Sequence, residues 1–194
     1  MQEYFSFPYV DVFKKYNDLL NSYEKNEDFY KILKYVKDYD ESTYFHSLRV
    51  GYICGLIGFY SNINERDVLD LFWAGLLHDV GKLYVPLDIL RKKGILNREE
   101  RRRIDAHCEL GGMLLESLGV DCDIAEIVRN HHNYNSRSLS HCVVSVVDVT
   151  DALFSKRCYK EPFDSSRAIE VLSEKFDCEL AREIVEIYIE LFDL

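Results

Sequence analysis

An apolar run that ends in charged residues places the strongest constraint on how this chain can fold. Residues 71–77 (LFWAGLL) are typical of a buried helix, and they continue directly into residues 78–82 (HDVGK). Moving a charge from water into a protein interior costs several kcal/mol unless the charge is paired or bound to a metal ion. The fold must therefore bring charged partners or a metal ion to the end of this helix.

Helical periodicity dominates the rest of the sequence. Apolar residues recur at spacings of three and four residues, which indicates amphipathic helices. Segments with this pattern lie near 43–60, 66–79, 97–118, 121–132, 138–155, 164–175 and 178–192. Asn97 is predicted to be a helix N-cap. Residues 143–147 (VVSVV) favour a strand by propensity, but the helical spacing continues beyond them and no partner strand is found. We therefore predict an all-α fold, a compact helical bundle.

The composition limits the classes of partner and the cellular setting. The chain has 194 residues, of which 47% are hydrophobic, so we expect one domain with a sizeable core. Its formal net charge of −10 disfavours nucleic-acid polymers and anionic membrane surfaces as partners. The apolar stretches are too short to span a bilayer, and the first ten residues lack the basic region of a signal peptide. The six cysteines form no CxxC pair, so we expect reduced thiols in a cytoplasmic protein.

Five of the six histidines occupy positions that suit a metal site, either within predicted helices or at their ends. In chain order they are His46, His78, His107, His131 and His132. Adjacent helical side chains point about 100° apart, so His131 and His132 can serve one cluster only at a helix end. Asp148 and Asp151 lie one turn apart in an apolar helix, where unpaired carboxylates would be costly. His141 is interpreted as an ordinary core histidine.

Imidazoles and carboxylates mixed in one site suit divalent ions such as Fe, Mn, Zn or Ni. This donor set exceeds what a single ion can hold, so two ions that share one carboxylate fit better. A hydroxide held between ions about 3.5–4 Å apart would be a nucleophile at neutral pH, because metal coordination lowers the pKa of water toward about 7. Two ions would also give this acidic chain the positive charge needed to hold a phosphate.

Taken together, these motifs resemble the HD superfamily of metal-dependent phosphohydrolases, and more closely its HD-GYP branch, whose members hydrolyse cyclic di-GMP. The similarity extends from about Thr43 to the C-terminus. The family pattern is a first His, an HDxGK pentad, another His, a His-His pair and a later Asp. The matching residues here are His46, residues 78–82, His107, His131, His132 and Asp148. The number and order of the motifs make the resemblance specific.

The resemblance implies a role for each of these residues. It assigns one ion to His46, His78, Asp79 and Asp148, and the other to Asp79, His107, His131 and His132, so that Asp79 is the bridge. Lys82 would lie beside the reacting phosphate as a proton donor or charge stabiliser, and Asp151 would orient Lys82 or a metal ligand. Arg157 and Lys160 match positions that contact the substrate phosphate. We expect two divalent ions, Fe or Mn in the first place, with Zn, Ni or Mg as alternatives.

Two features depart from the HD-GYP pattern. After the His-His pair the family carries an acidic residue and a Gly-Tyr-Pro loop that helps to hold the guanine dinucleotide, whereas residues 133–138 here pass directly to the next helix. Members with three metals carry a Glu one turn before the first His, but that position here is Ser42, so two metals are expected. We predict that residues 1–42 are a helical extension, packed on the core or at a homodimer interface, and that residues 43–194 are the catalytic domain.

Three functional hypotheses are open from the sequence. The first is a phosphodiesterase that hydrolyses cyclic di-GMP or a related cyclic dinucleotide through a hydroxide activated by two metal ions. The second is a phosphohydrolase of mononucleotides or other phosphate esters, which the missing loop favours and the second set of histidines disfavours. The third is a metal-loaded, nucleotide-sensing domain with little turnover.

Overall fold

A computed structural model of the chain describes residues 7–22, 27–134, 136, 138–154, 165–176 and 179–192. Within these residues the secondary structure is helical, without a β-strand. The helices are α1 (Phe7–Ser22), α2 (Glu27–Tyr39), α3 (Glu41–Tyr60), α4 (Glu65–Leu77), α5 (Leu87–Leu90), α6 (Arg98–Asp105), α7 (His107–Ser117), α8 (Cys122–Asn130), α9 (Leu139–Phe154), α10 (Ser165–Lys175) and α11 (Glu179–Phe192). A 3₁₀ turn (Val80–Tyr84) follows α4. The prediction of an all-α bundle is confirmed, and residues 143–147 are helical within α9.

The segment 97–118, predicted as one helix, is two helices, so that prediction is wrong. The backbone at Ala106 has a ψ of −13°, away from the helical value of about −42°. The helices on either side of it also differ, since α6 buries no residue whereas α7 packs against the 3₁₀ turn and α8. His107 therefore begins a helix instead of lying within one. Asn97 caps α6 as predicted, in a reciprocal capping box with Glu100.

The contact between α3 and α4 forms the centre of the core. The two helices approach closely, because a Cβ on Gly51 would lie only 2.9 Å from the backbone nitrogen of Leu76. Helix α9 packs against both of them, and valine is the commonest of its buried residues. This three-helix arrangement brings the C-terminal end of α4 beside His46 of α3, and the ring centres of His46 and His78 lie 5.1 Å apart.

The N-terminal helices pack on the core. Helix α1 contacts α3, and α2 contacts both α3 and the 3₁₀ turn. The hydroxyl of Tyr39 donates a hydrogen bond to the carbonyl oxygen of Val85 at 2.7 Å, which ties the end of α2 to the segment after the 3₁₀ turn. The domain division at residue 42 stays a prediction. In the described part of the chain, no helix combines the length and hydrophobicity that a bilayer crossing requires.

Candidate metal centre

The structure brings seven of the predicted site residues together around one point in the core. They are His46 of α3, His78 and Asp79 after α4, His107 at the start of α7, His131 and His132 after α8, and Asp148 of α9. All of them except His132 are buried. Helix α8 ends at Asn130, so the His-His pair lies at a helix end, where both rings can face the same cluster.

Three of the histidines are held by the backbone in the same way. In each, Nδ1 lies within hydrogen-bond distance of the carbonyl oxygen three residues earlier, at 2.7 Å for His78, 2.5 Å for His107 and 2.6 Å for His131. Because a carbonyl only accepts, the Nδ1 atom carries a proton, which leaves Nε2 of each ring as the atom that can bind a metal ion. Metal-ligating histidines are typically oriented by such a bond from the other ring nitrogen.

The Nε2 atoms of these histidines converge in the buried cluster. The Nε2 atoms of His107 and His131 face each other at 3.3 Å. The Nε2 atom of His78 is buried and has no hydrogen-bond partner among the described residues. An unsatisfied buried polar group costs about 1–3 kcal/mol, and a single proton shared between Nε2 of His107 and Nε2 of His131 would leave His78 unsatisfied. The arrangement therefore favours a cation in the cluster.

Asp79 faces two groups of imidazole nitrogens. Its Oδ2 lies 3.3 Å from Nε2 of His78 and 3.7 Å from Nε2 of His46. Its Oδ1 lies 3.3 Å from Nε2 of His107. Asp148 completes the first group, because its Oδ1 lies 3.0 Å from Nε2 of His46. A carboxylate with one oxygen directed at each of two donor groups has the orientation that a bridging ligand needs.

The electrostatics of the cluster favour ionised carboxylates but act in opposite directions on different histidines. Burial acts to raise the pKa of Asp79 and of Asp148, but the surrounding imidazoles, together with Lys82 in the case of Asp79, outweigh it and both pKa values lie below their usual range. Burial lowers the pKa of His131 well below its usual value and that of His132 to about 4. Burial also lowers the pKa of His107 and of His46, but the neighbouring aspartates outweigh it, so that the pKa of His46 is raised and that of His107 is raised to about 10. Because ionised carboxylates and neutral imidazoles are the forms that bind divalent ions, an ion in the cluster would displace a proton from these two rings.

The glycine of the pentad allows the 3₁₀ turn to approach α7. A Cβ on Gly81 would lie 1.9 Å from the carbonyl oxygen of His107, far inside any contact distance. The turn brings Lys82 to the edge of the cluster, where its Nζ lies 2.5 Å from Oδ2 of Asp79. With 20% of its side chain exposed, Lys82 contacts both the buried carboxylate and the solvent.

Asp151 contacts a candidate ligand, and among the described residues no contact joins it to Lys82. Its Oδ2 lies 2.7 Å from Nδ1 of His46, and Arg49 donates two hydrogen bonds to its carboxylate, at 2.7 and 2.9 Å. Burial raises the pKa of Asp151, but the hydrogen bonds with His46 and Arg49 outweigh it and lower that pKa below its usual range. Arg49 was not predicted from the sequence, although its position three residues after His46 puts both on one face of α3.

Two further side chains at the cluster come from segments without a motif. The hydroxyl of Tyr134 lies 2.9 Å from Nδ1 of His132, and Nζ of Lys175 lies 4.1 Å from the centre of the Tyr134 ring. They add a hydroxyl and a cation at the side of the cluster where His132 is exposed. Arg157 and Lys160, the predicted phosphate contacts, lie outside the described residues.

The connection between α8 and α9 is short, because it spans only residues 131–138. Its first residues are held by both flanking helices. The Asn133 amide donates to the Asn130 carbonyl at 2.8 Å, and the Ser145 hydroxyl of α9 donates to the His131 carbonyl at 2.5 Å. Ser42, at the position of the third-metal Glu, is exposed.

Comparison with known proteins gives relatives over most of the chain. A cyclic di-GMP phosphodiesterase of Thermotoga maritima is 32% identical over 204 residues, which cover 93% of this chain and 52% of that protein. A 3'3'-cGAMP-specific phosphodiesterase of Vibrio cholerae is 30% identical over 141 residues, which cover 66% of this chain and 31% of that protein. The chain thus spans about half, or less, of the length of these relatives.

A solved structure and a family profile agree with this similarity. The HD domain of the Listeria monocytogenes phosphodiesterase PgpH matches with a TM-score of 0.57 at 15% identity, covering 84% of this chain and 99% of that one. At that identity the match shows a shared fold. The profile described as HD domain matches residues 43–153, more than half of the sequence. The chain therefore belongs to the HD domain family, as the order of its histidine and aspartate motifs predicted.

Proposed function

We propose that this chain is a metal-dependent phosphodiesterase that hydrolyses cyclic di-GMP or a related cyclic dinucleotide. The observation that carries the proposal is the orientation of Asp79, with one oxygen toward His46 and His78 and the other toward His107. Such a carboxylate suits a pair of ions that together hold one phosphate. Relatives that match this part of the chain are named as phosphodiesterases of cyclic di-GMP and of 3'3'-cGAMP, which supports the substrate class.

Two divalent ions fit the donor set. One ion would be held by His46, His78, Asp79 and Asp148, and the other by Asp79, His107, His131 and His132. The unpartnered Nε2 of His78 and the ionised carboxylates support this assignment. When bound, such ions supply positive charge for the phosphate oxygens and a water molecule of lowered pKa. Mixed imidazole and carboxylate donors suit Fe or Mn, and Zn or Ni are compatible with them.

The side chains at the edge of the cluster provide the remaining chemistry. Lys82 lies against Asp79 and is partly exposed, so its ammonium group can donate a proton to the leaving oxygen or balance the charge of that oxygen. Asp151 holds Nδ1 of His46 and so fixes the orientation of that ring. Arg157 and Lys160 are proposed as further contacts to the substrate phosphate.

A second candidate is a phosphohydrolase that acts on a mononucleotide or another phosphate ester. The short connection at residues 131–138 favours it, because the HD-GYP resemblance expects a dinucleotide-binding loop there. The first candidate is favoured by a second set of donors that could hold another ion, namely His107, His131 and His132.

A substrate panel tests the proposal. Freshly purified protein is analysed for metal and then assayed, with Fe²⁺ or Mn²⁺ supplied, against cyclic di-GMP, 3'3'-cGAMP and nucleoside monophosphates. We expect turnover of a cyclic dinucleotide, its loss in Asp79→Ala, and its retention in the matched control Asp88→Ala, an exposed aspartate of α5. Full activity of Asp79→Ala would refute the metal scheme. Turnover of monophosphates alone would favour the second candidate, and tight nucleotide binding without product would favour a sensing domain.

A further inference from the structure

Cys108 contributes a sulfur atom to the same buried cluster. Its Sγ lies 3.5 Å from Nε2 of His107 and 3.8 Å from Nε2 of His131. These two nitrogens are themselves 3.3 Å apart. The side chain is 9% exposed, so the three atoms form a triangle of potential ligands shielded from solvent.

The sides of this triangle match the separations expected of three donors that bind one ion. With metal–nitrogen bonds of about 2.1 Å and metal–sulfur bonds of about 2.3 Å, tetrahedral angles give N···N separations of about 3.4 Å and N···S separations of about 3.6 Å. The observed separations are 3.3 Å for N···N and 3.5 and 3.8 Å for N···S. One ion can therefore contact both nitrogens and the sulfur without a rearrangement of these side chains.

The two histidines direct the same ring atom at the sulfur. The Nδ1 atoms of His107 and His131 face backbone carbonyls, so Nε2 of each ring is the atom left to bind an ion. An independent feature of the same cluster also indicates a cation, namely the buried, unpartnered Nε2 of His78, whose ring centre lies 5.1 Å from that of His131.

We propose that Cys108 is a thiolate ligand of the ion held by His107 and His131. This inference rests on the metal site of the proposed function and adds a donor that the HD-GYP resemblance does not assign. Binding of the ion releases the thiol proton to solvent. Thiolate is softer than imidazole or carboxylate, so the sulfur shifts the preference of this position toward Zn²⁺ or Fe²⁺ and away from Mn²⁺ and Mg²⁺.

Cobalt substitution tests the proposal, because a thiolate bound to Co²⁺ gives a charge-transfer band that imidazole and carboxylate ligands do not give. The full chain is stripped of metal with a chelator and titrated with Co²⁺ while the ultraviolet and visible spectrum is recorded. We expect the band in the wild type and its loss in Cys108→Ser. The Zn²⁺ affinity of that variant should fall by roughly 10–100-fold, because mutation of a residue that only hydrogen-bonds to a metal ligand already causes a loss of this size. Its Mn²⁺ affinity should change less.

Cys142→Ser is the matched control. Cys142 is a buried thiol of α9 outside the cluster, and its Sγ donates to the Ser136 carbonyl at 2.9 Å, a bond that a serine hydroxyl can keep. A wild-type protein that binds Co²⁺ without the band, or a Cys108→Ser variant that keeps the full band, would overturn the inference. Circular dichroism shows whether the variant folds. If it does not fold, the wild-type spectrum still decides the question. An inactive protein with the band would refute the proposed function and leave the thiolate ligand in place, whereas a protein that binds no Co²⁺ would refute both.

Discussion

Replacement of Gly81 by alanine tests how the 3₁₀ turn positions the candidate metal centre. An added Cβ would lie 1.9 Å from the carbonyl oxygen of His107 and 2.6 Å from the amide nitrogen of Gly111. Both atoms belong to the backbone of α7, so no change of rotamer relieves the clash. To reach an ordinary contact distance of 3.4 Å, the turn and the helix must separate by about 1.5 Å at this point.

The magnitude of the effect follows from this separation. Overpacking of a well-packed interior typically costs about 1–3 kcal/mol, whereas ligand distances in a metal site are held within about 0.2 Å. Asp79, two residues before Gly81, would move away from His107, whose Nε2 now lies 3.3 Å from Oδ1 of Asp79. We therefore expect Gly81→Ala to fold with a reduced free energy of unfolding and to lose the ion that Asp79 and His107 would share.

Denaturant unfolding and metal analysis of the purified variant measure the two effects separately. Gly112→Ala is the matched control, because its Cβ would lie 3.1 Å from the flexible end of Arg129 and 3.2 Å from the carbonyl oxygen of Ala125, which is a much milder contact. Alanine is also favoured over glycine within a helix, by up to about 1 kcal/mol. The control should keep the metal content of the wild type. If Gly81→Ala had the unfolding midpoint and the metal content of the wild type, the reasoning would be refuted.

Three further substitutions test other parts of the structure. Tyr16→Phe removes a buried hydroxyl that lacks a hydrogen-bond partner among the described residues, so the free energy of unfolding should rise by about 1 kcal/mol; a lower denaturation midpoint would contradict this. Asp40→Ala removes the N-cap of α3 and should cost about 0.5–2 kcal/mol at neutral pH. Burial raises the pKa of Asp40, but hydrogen bonds from the first turn of α3 and from Arg91 outweigh it and lower that pKa. Its stabilising effect is therefore present above the unfolded-state pKa of about 3.9 and is lost as the pH falls, so the deficit of the variant should shrink in acid unfolding experiments. Arg49→Ala removes the paired hydrogen bonds to Asp151 and should weaken metal binding roughly 10-fold in calorimetric titrations; an unchanged titration would exclude this role.

The order of motifs along the chain predicted which side chains meet, but periodicity did not predict every helix boundary. His46, His78, His107 and Asp148 are far apart in sequence and lie in one cluster in the structure. The predicted helix over 97–118 is wrong because a hydrophobic pattern does not register a turn at one residue. That turn at Ala106 depends on tertiary contacts, since α7 packs against the 3₁₀ turn while α6 stays on the surface.

The residues that the sequence could not place are those whose contacts depend on packing between distant elements. Cys108 follows His107, yet only the position of α8 brings its sulfur within 3.8 Å of His131. Lys175 belongs to an amphipathic helix of ordinary composition, and its contact with the Tyr134 ring arises because α10 packs on α9. A spacing rule applied to one helix contains no information about either contact.

The same contacts indicate where selectivity for a substrate would arise in the proposed enzyme. The HD-GYP resemblance expects a loop after the His-His pair, and here that connection is limited to residues 131–138. The exposed side of the cluster is occupied instead by Tyr134, against His132, and by Lys175, against the Tyr134 ring. A cation and an aromatic hydroxyl beside an exposed imidazole suit a phosphate and a stacked base. Differences in substrate between this chain and its relatives are therefore to be sought at Tyr134 and Lys175, while the buried donors would supply the proposed hydrolytic chemistry.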